Sequence, residues 1–206
     1  MQKIITIVFL MIATLSPFHA QQNEDFKLVK NYYNYQRELL NTGFKKKFDS
    51  EKETSKKLEI KKDFQMFMTK MDSIENVALL GALIKTKNLE TLKNINQPSS
   101  KNDKELTKDS SIASYPGGMN ALREKVSELV YSDSVLADYP IIKTLVRFTV
   151  EQDGSITHVK ATGENPSFNR QAEIALYLLP EKFSPSYSNG MPVKSYYNLP
   201  LSINFK

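Results

Sequence analysis

The segment 114–206 carries strand and helix patterns in an order that constrains the fold strongly. A helix with one apolar face is predicted over 119–130. A strand follows at about 143–152, in which apolar and polar side chains alternate, and a return strand covers about 155–162. The dipeptide Asp153-Gly154 between these strands is a strong signal for a two-residue hairpin turn.

A second helix and a long strand complete this pattern. Asn165-Pro166-Ser167 has helix-start chemistry, and Pro180 ends the apolar stripe that follows. The return strand breaks period two between Ile156 and Val159, which indicates a β-bulge or twist, whereas the final strand at 197–205 alternates throughout. Because each strand has one apolar face that needs cover, we predict an α+β fold. Its core is a small antiparallel three-stranded sheet with two helices on one face.

A helical region is predicted ahead of this domain, over residues 21–95, because apolar side chains recur there at helical spacing. Asn41-Thr42-Gly43 is predicted to end its first helix, and Asp72-Ser73 to break or kink the second. The run 77–84 is apolar on all sides and is therefore expected to be buried in a helix pair. Polar residues dominate 96–113, which we interpret as a linker.

The N-terminus has the pattern of a secretory signal peptide. Lys3 precedes an uncharged apolar run at 4–15, Ser16-Pro17 interrupts it, and Ala20 offers a cleavage point. We therefore predict that residues 1–20 are removed and that the protein is periplasmic. The alternative is an inner-membrane anchor, although as a helix the run would span only ~18 Å of a ~30 Å hydrocarbon core.

Composition and residue types argue against several classes of function. The net charge of +5 comes mainly from the middle of the chain, where lysines alternate with acidic residues, so no nucleic-acid surface is predicted. The absence of cysteine excludes disulfides and thiolate catalysis. Signal cleavage would leave His158 as the one histidine, which we interpret as a surface or sheet-edge residue. No metal-ligand spacing is found, so we predict no enzyme, no metal and no cofactor.

The final strand is predicted to lie at a sheet edge and to bind a partner there. Pro200 has no N–H to give to a ladder and is therefore confined mainly to edge strands or bulges. A nearly uncharged edge strand is usually protected or used, and an extended peptide can pair with it through backbone hydrogen bonds. The candidate peptide-binding residues are Tyr196, Tyr197, Asn198, Leu199, Pro200, Leu201 and Ser202. Cover by the chain's own middle region, or by a second copy in a homodimer, stays open as the alternative.

Taken jointly, these motifs and their spacing resemble the TonB C-terminal domain of Gram-negative envelope proteins, in its Tyr-Pro-Gly-Gly form. The resemblance covers about 113–206 and rests on Tyr115–Gly118, Asp153-Gly154, the helix ending at Pro180, Phe183, Pro185, Asn189-Gly190, Pro192-Val193 and Leu199–Phe205. It implies a periplasmic module whose last strand binds the N-terminal peptide of an outer-membrane TonB-dependent transporter. It further implies that inner-membrane motor proteins act through the domain in energy-coupled transport.

An adaptor function is the main alternative to energy transduction. A typical transducer of that family has a membrane anchor and a long Pro-rich spacer, whereas this sequence predicts a cleavable signal peptide and a helical middle. A soluble envelope adaptor or scaffold would keep the fold without transduction and would use 21–95 as its partner surface. An enzyme would need a polar pocket around His158, which the sequence does not predict.

Overall fold

The computed structural model describes residues 21–96, 111–136 and 139–204. In chain order the elements are α1 (Gln21–Ser50), α2 (Thr54–Asn96), α3 (Gly118–Leu129), β1 (Ile141–Val150), β2 (Ile156–Thr162), α4 (Pro166–Tyr177), β3 (Ser186–Ser188), β4 (Met191–Val193) and β5 (Ser195–Asn204). A 3-10 helix, Ser132–Ser134, precedes β1. The predicted signal peptide and most of the predicted linker lie outside the described residues. We call α1 and α2 the helical hairpin, and 111–204 the sheet domain.

The sheet domain is built on a three-stranded antiparallel sheet in the order β2-β1-β5. β5 pairs with β1 along its whole length. Residues 151–155 join β1 to β2, and of these only Gly154 has a positive φ, 78°, so the predicted two-residue turn is wrong in length although its position is right. The register of β1 and β2 shifts once, between Arg147 and Thr149. The shift confirms the irregularity predicted for the return strand. The predicted α+β class and three-stranded antiparallel sheet are therefore confirmed.

α3 and α4 cover one face of this sheet. Val146 and Phe148 of β1 and Leu199 of β5 are buried on that face, under Leu122 and Val126 of α3. α4 is buried from its second turn to its end, because it lies between the sheet and the helical hairpin. The opposite face of the sheet is left largely to solvent, and this exposed face lies beside the final strand.

A second, two-stranded sheet of β3 and β4 was not part of the sequence prediction. Its turn is Asn189-Gly190, and both residues have positive φ, 52° and 74°. An Asn-Gly pair with this geometry is typical of a type I′ hairpin, so the signal was present in the sequence. The backbone of Ser111 bonds to Tyr187 on the outer side of β3 and ties the end of the predicted linker to the sheet domain.

The predicted helix end at Asn41–Gly43 and the predicted break at Asp72-Ser73 are wrong. α1 continues through Asn41–Gly43 to Ser50, and α2 runs unbroken through Asp72-Ser73. Beyond Gly43 the ring of Phe44 packs against Phe64 of α2, with 5.1 Å between ring centroids. Tertiary packing of this kind outweighs the intrinsic cost of a helical glycine, which is ~1 kcal/mol. Both helices consequently extend well past the sheet domain.

The apolar run 77–84 is buried on one face only, which corrects the expectation that all of it is buried. Leu79 and Leu83 are 6% and 3% exposed and belong to the main hydrophobic core. Val77 and Ile84, on the other face of α2, are 66% and 62% exposed. α2 thus contributes one stripe to the core that it shares with the sheet domain.

Phe26 of α1 joins the helical hairpin to that same core. It is fully buried, and its ring stacks on Tyr177 of α4 with 5.0 Å between centroids. Within the hairpin, the buried carboxylate of Glu75 forms ion pairs with Lys30, at 2.7 Å, and with Arg37. The described residues therefore share one core across the hairpin and the sheet domain.

The contacts of Asp153 in the β1–β2 turn predict that the stability of the protein depends on pH. Asp153 accepts hydrogen bonds from the Ser155 N–H, at 3.0 Å, and hydroxyl, at 2.6 Å, and pairs with Lys182 at 2.9 Å. Partial burial raises the pKa of Asp153, but the hydrogen bonds from Ser155 and Lys182 outweigh it and lower this pKa to about 2. A carboxylate with a lowered pKa stabilises the fold above its ordinary pKa, and this contribution is lost as pH falls toward 2.

We therefore expect Asp153→Asn to be less stable than the native protein at pH 5 to 7, roughly the range of maximal stability. The side chain is 44% exposed, so solvent screening keeps the difference in unfolding free energy below about 1 kcal/mol. Urea unfolding at a series of pH values measures it. The two curves should converge as pH approaches about 2, the pKa of Asp153. A difference that stays constant across this range would contradict the assignment.

Candidate functional site

The two edges of the three-stranded sheet differ in how far other parts of the chain cover them. At the β2 edge, His158 has a positive φ of 54° within the bulge, and its N–H donates to Glu90 of α2 at 2.8 Å. The same carboxylate oxygen accepts the Tyr177 hydroxyl at 3.0 Å. Glu90 therefore accepts a hydrogen bond from an N–H that the bulge leaves outside the β1–β2 ladder.

Two further N–H groups of this edge have acceptors, of which the first is the Tyr177 hydroxyl, which accepts the Val159 N–H at 3.4 Å. The N–H of Ala161 donates to Glu173 of α4 at 2.8 Å, and Glu173 in turn pairs with Lys87 of α2 at 2.6 Å. Covering a sheet edge with helices and inward-pointing charges prevents it from pairing with another chain. The helical hairpin thus protects β2, whereas the sequence alternative of cover by the middle region concerned the final strand.

The β5 edge has no such cover among the described residues, and the ladder fixes which of its backbone groups point outward. Glu151 donates its N–H to Ser155 across the hairpin turn, so odd-numbered residues of β1 bond toward β2. Even-numbered residues of β1 therefore bond toward β5, because N–H direction alternates along a strand. Val146 is opposite Leu199, so odd-numbered residues of β5 complete the ladder.

It follows that the even-numbered residues of β5 present their backbone groups outward. These are Tyr196, Asn198, Pro200, Ser202 and Asn204. Pro200 is opposite Leu145, at a position where its missing N–H removes no bond to β1. Four N–H donors and five carbonyl acceptors are then available to an incoming strand.

Of the seven candidate peptide-binding residues, some have exposed side chains at the sheet edge and others have side chains packed in the core. Tyr196, Asn198, Pro200 and Ser202 have exposed side chains on the open face of the sheet, with Tyr196 83% exposed. Tyr197 and Leu201 are half-buried on the helix face, and Leu199 is fully buried. Leu199 therefore acts in the core, and the odd-numbered members hold the edge strand against β1.

Side-chain grooves accompany the open edge on both faces of the sheet. On the helix face a cavity of about 480 Å³ lies between α3 and β5 and is lined by Val130, Phe168 and Ile203, with Arg123 at its rim. On the open face a shallower depression of about 430 Å³ is lined by Leu145, Thr162 and Pro200, among others. Alternate side chains of an added strand would project toward these two grooves in turn.

Two cations flank the edge on the open face. Lys143 is opposite Ser202 and Arg147 is opposite Asn198, and both charged side chains are exposed. Neither forms an ion pair within the part of the chain that the structure describes. These cross-strand neighbours give the uncharged edge a positive border, which the sequence analysis did not identify because register decides it.

Three titratable side chains elsewhere, Tyr177, Tyr115 and His158, contact neighbouring polar groups. Burial, together with the nearby Glu90 carboxylate, raises the pKa of Tyr177 well above its usual value. Burial and a hydrogen bond to Glu181 do the same for Tyr115. The side chain of His158 is exposed and contacts the Thr157 hydroxyl at 3.0 Å. Residues 21–96, 111–136 and 139–204 contain no cluster of three His, Cys, Asp or Glu side chains that could hold a metal ion.

Comparison with known proteins adds no assignment to this geometry. No family model, no curated protein and no solved structure matches the chain. None of the described helices is both long enough and apolar enough to cross a membrane.

Proposed function

We propose that this protein is a periplasmic protein-binding module that takes up an extended peptide by strand addition at β5. Its partner is the N-terminal segment of an outer-membrane TonB-dependent transporter, and the sheet domain is a TonB C-terminal-like domain in energy-coupled transport. One observation carries the proposal: β2 is capped by Glu90 and Glu173, whereas among the described residues none bonds to the outward backbone groups of β5. An edge left open beside a protected one is suited to pairing with another chain.

The side chains that surround the β5 edge indicate which residues a bound peptide would carry. Lys143 and Arg147 favour a peptide whose acidic side chains lie on the open face of the sheet. The groove between α3 and β5 favours apolar side chains at the intervening positions. A segment that alternates acidic or polar with aliphatic residues would satisfy both faces of the extended sheet.

A soluble envelope adaptor is the second candidate, and the docking of the helical hairpin favours it. Phe26, Glu90 and Lys87 fix the hairpin to the sheet domain, so both would move as one body. Energy transduction would need inner-membrane motor proteins to act on that body. The adaptor would instead use the hairpin to hold a further envelope protein, with β5 bound to the transporter as before.

Proline substitutions at outward-facing positions test strand addition directly. Asn198→Pro and Ser202→Pro each remove one outward N–H and leave the ladder to β1 intact. A net ~1 kcal/mol for each lost hydrogen bond predicts that the double variant binds a transporter N-terminal peptide about thirtyfold more weakly. Isothermal titration calorimetry measures the affinity. NMR chemical shifts at residues 195–204 locate the peptide.

The matched control is Asn198→Ala with Ser202→Ala, which keeps both N–H groups and should bind within about threefold of the native protein. Circular dichroism verifies that all variants are folded. Equal affinity of the proline and alanine variants would rule out pairing at β5. So would the absence of shift changes along β5 with several such peptides.

A further inference from the structure

The far end of the helical hairpin carries most of the excess positive charge of the protein. Between residues 41 and 64 the sequence has eight lysines and five acidic residues, an excess of three out of a total net charge of +5. Lys45, Lys46 and Lys47 are consecutive in the last turns of α1, and all three are exposed. We call residues 41–64, which join α1 to α2, the hairpin tip.

Apolar side chains are interspersed with these lysines. Phe44, Phe48, Ile60 and Phe64 line a cleft of about 370 Å³ between the two helices, and Lys45 and Lys61 border it. Phe48 is 38% exposed beneath Lys57, whose ammonium lies 5.0 Å from its ring centroid, and Leu58 is 68% exposed. The tip therefore combines a basic rim with accessible aromatic and aliphatic surface.

The tip also projects away from the sheet domain. The hydrogen bond between Asn76 of α2 and Gln171 of α4, at 2.7 Å, anchors the hairpin, and α2 extends from Asn76 back to Thr54. A helix of that length places the tip ~33 Å from this anchor. Docking at the tip would leave β5, which is at the sheet edge opposite the hairpin, free for its own partner.

We propose that the hairpin tip docks on the surface of an anionic phospholipid bilayer. Lysine clusters on helices are attracted to anionic headgroups, while neighbouring aromatic and aliphatic side chains enter the boundary between headgroups and acyl chains. Charge alone would suit any polyanion, such as a nucleic acid. The apolar side chains among the lysines favour a bilayer, because only a bilayer offers hydrocarbon within reach of the charged surface.

Vesicle co-sedimentation with the full chain tests this inference. We expect binding to vesicles in which about a third of the lipid is phosphatidylglycerol, weak binding to pure phosphatidylcholine, and loss of binding near 1 M salt, where charges are screened beyond ~3 Å. The triple variant Lys45→Gln, Lys46→Gln, Lys47→Gln should lower the vesicle affinity on the order of a hundredfold. Lys125→Gln, Lys160→Gln, Arg170→Gln removes the same charge from the sheet domain, away from the β5 edge, and should bind vesicles as the native protein does.

A second pair of substitutions separates a bilayer from a generic polyanion. Phe48→Ser with Leu58→Ser keeps every lysine and changes only exposed side chains, and it should weaken vesicle binding at least tenfold. Vesicle binding that is unchanged in this variant would mean purely electrostatic attraction to a polyanion and would overturn the proposal. Equal losses in the tip and sheet-domain triple variants, or equal binding to both lipid compositions, would overturn it as well.

Discussion

Replacing Phe26 with alanine should lower the free energy of unfolding by about 3–5 kcal/mol, the usual cost of removing a fully buried phenylalanine. Phe26 is the aromatic residue of α1 that enters the core of the sheet domain, where it stacks on Tyr177. Its removal leaves a cavity at the junction of hairpin and sheet domain. Urea unfolding followed by circular dichroism, which reports the helices, measures the loss.

Tyr35→Ala is the matched control, because Tyr35 is on the same helix but is 58% exposed. Its expected cost is within about 0.5 kcal/mol. Because the core is shared, Phe26→Ala should shift the unfolding midpoint of the sheet domain as well as that of the helices. NMR signals of β1 and β5 report the sheet separately. A variant in which only the helical signal changes its midpoint would contradict a shared core.

Local periodicity was sufficient to predict the three-stranded sheet of the sheet domain. The strands β1, β2 and β5 begin and end within two residues of the predicted positions. The apolar residues of β1 and β5 alternate with period two, and the Asp153-Gly154 signal places the turn between β1 and β2. β3 and β4 are too short, at three residues each, to show a period, so their turn residues were the one signal available.

The helix boundaries failed because tertiary packing overrides local breakers. Gly43 is compatible with a helix end, but Phe44 is held against Phe64 and Phe67 across the hairpin. Asp72 interrupts an apolar pattern, but its carboxylate pairs with Arg37 at 2.6 Å, and this makes it part of the contact between the helices. Neither interaction can be predicted from a short sequence window, because its partners lie on different helices.

The difference between the two sheet edges could not be predicted from the sequence. Pro200 correctly indicated that β5 is an edge strand, yet β2 is an edge strand too. The two edges differ because the carboxylates of Glu90 and Glu173 cap the β2 edge. Glu90 meets its partners at separations of 68 and 87 residues, and in sequence it resembles any acidic residue of a solvated helix. Long-range polar contacts of this kind leave no periodic signature.

Glu90→Leu should therefore produce the second large loss of stability, about 2–5 kcal/mol. Leucine keeps the helix propensity of α2, but it leaves the His158 N–H and the Tyr177 hydroxyl without their acceptor. A buried donor left unsatisfied costs ~1–3 kcal/mol, and two are affected. Glu90→Gln, which retains a carbonyl oxygen, should cost less than half as much. Urea unfolding of the three proteins compares them.

The same variant tests whether Glu90 protects the β2 edge. If it does, the amide of His158 should exchange with solvent at least tenfold faster in Glu90→Leu, and the protein should self-associate more readily, because an uncapped edge can pair with another chain. Amide exchange by NMR and sedimentation at several concentrations measure the two effects. Tyr177→Phe removes the second donor but leaves Glu90 on the His158 N–H, so it should keep the native exchange rate at His158. Because the Tyr177 hydroxyl also accepts the Val159 N–H at 3.4 Å, its expected cost is about 1–3 kcal/mol. Native stability and exchange in Glu90→Leu would show that the contact is incidental and that Glu90 does not distinguish the β2 edge from the β5 edge.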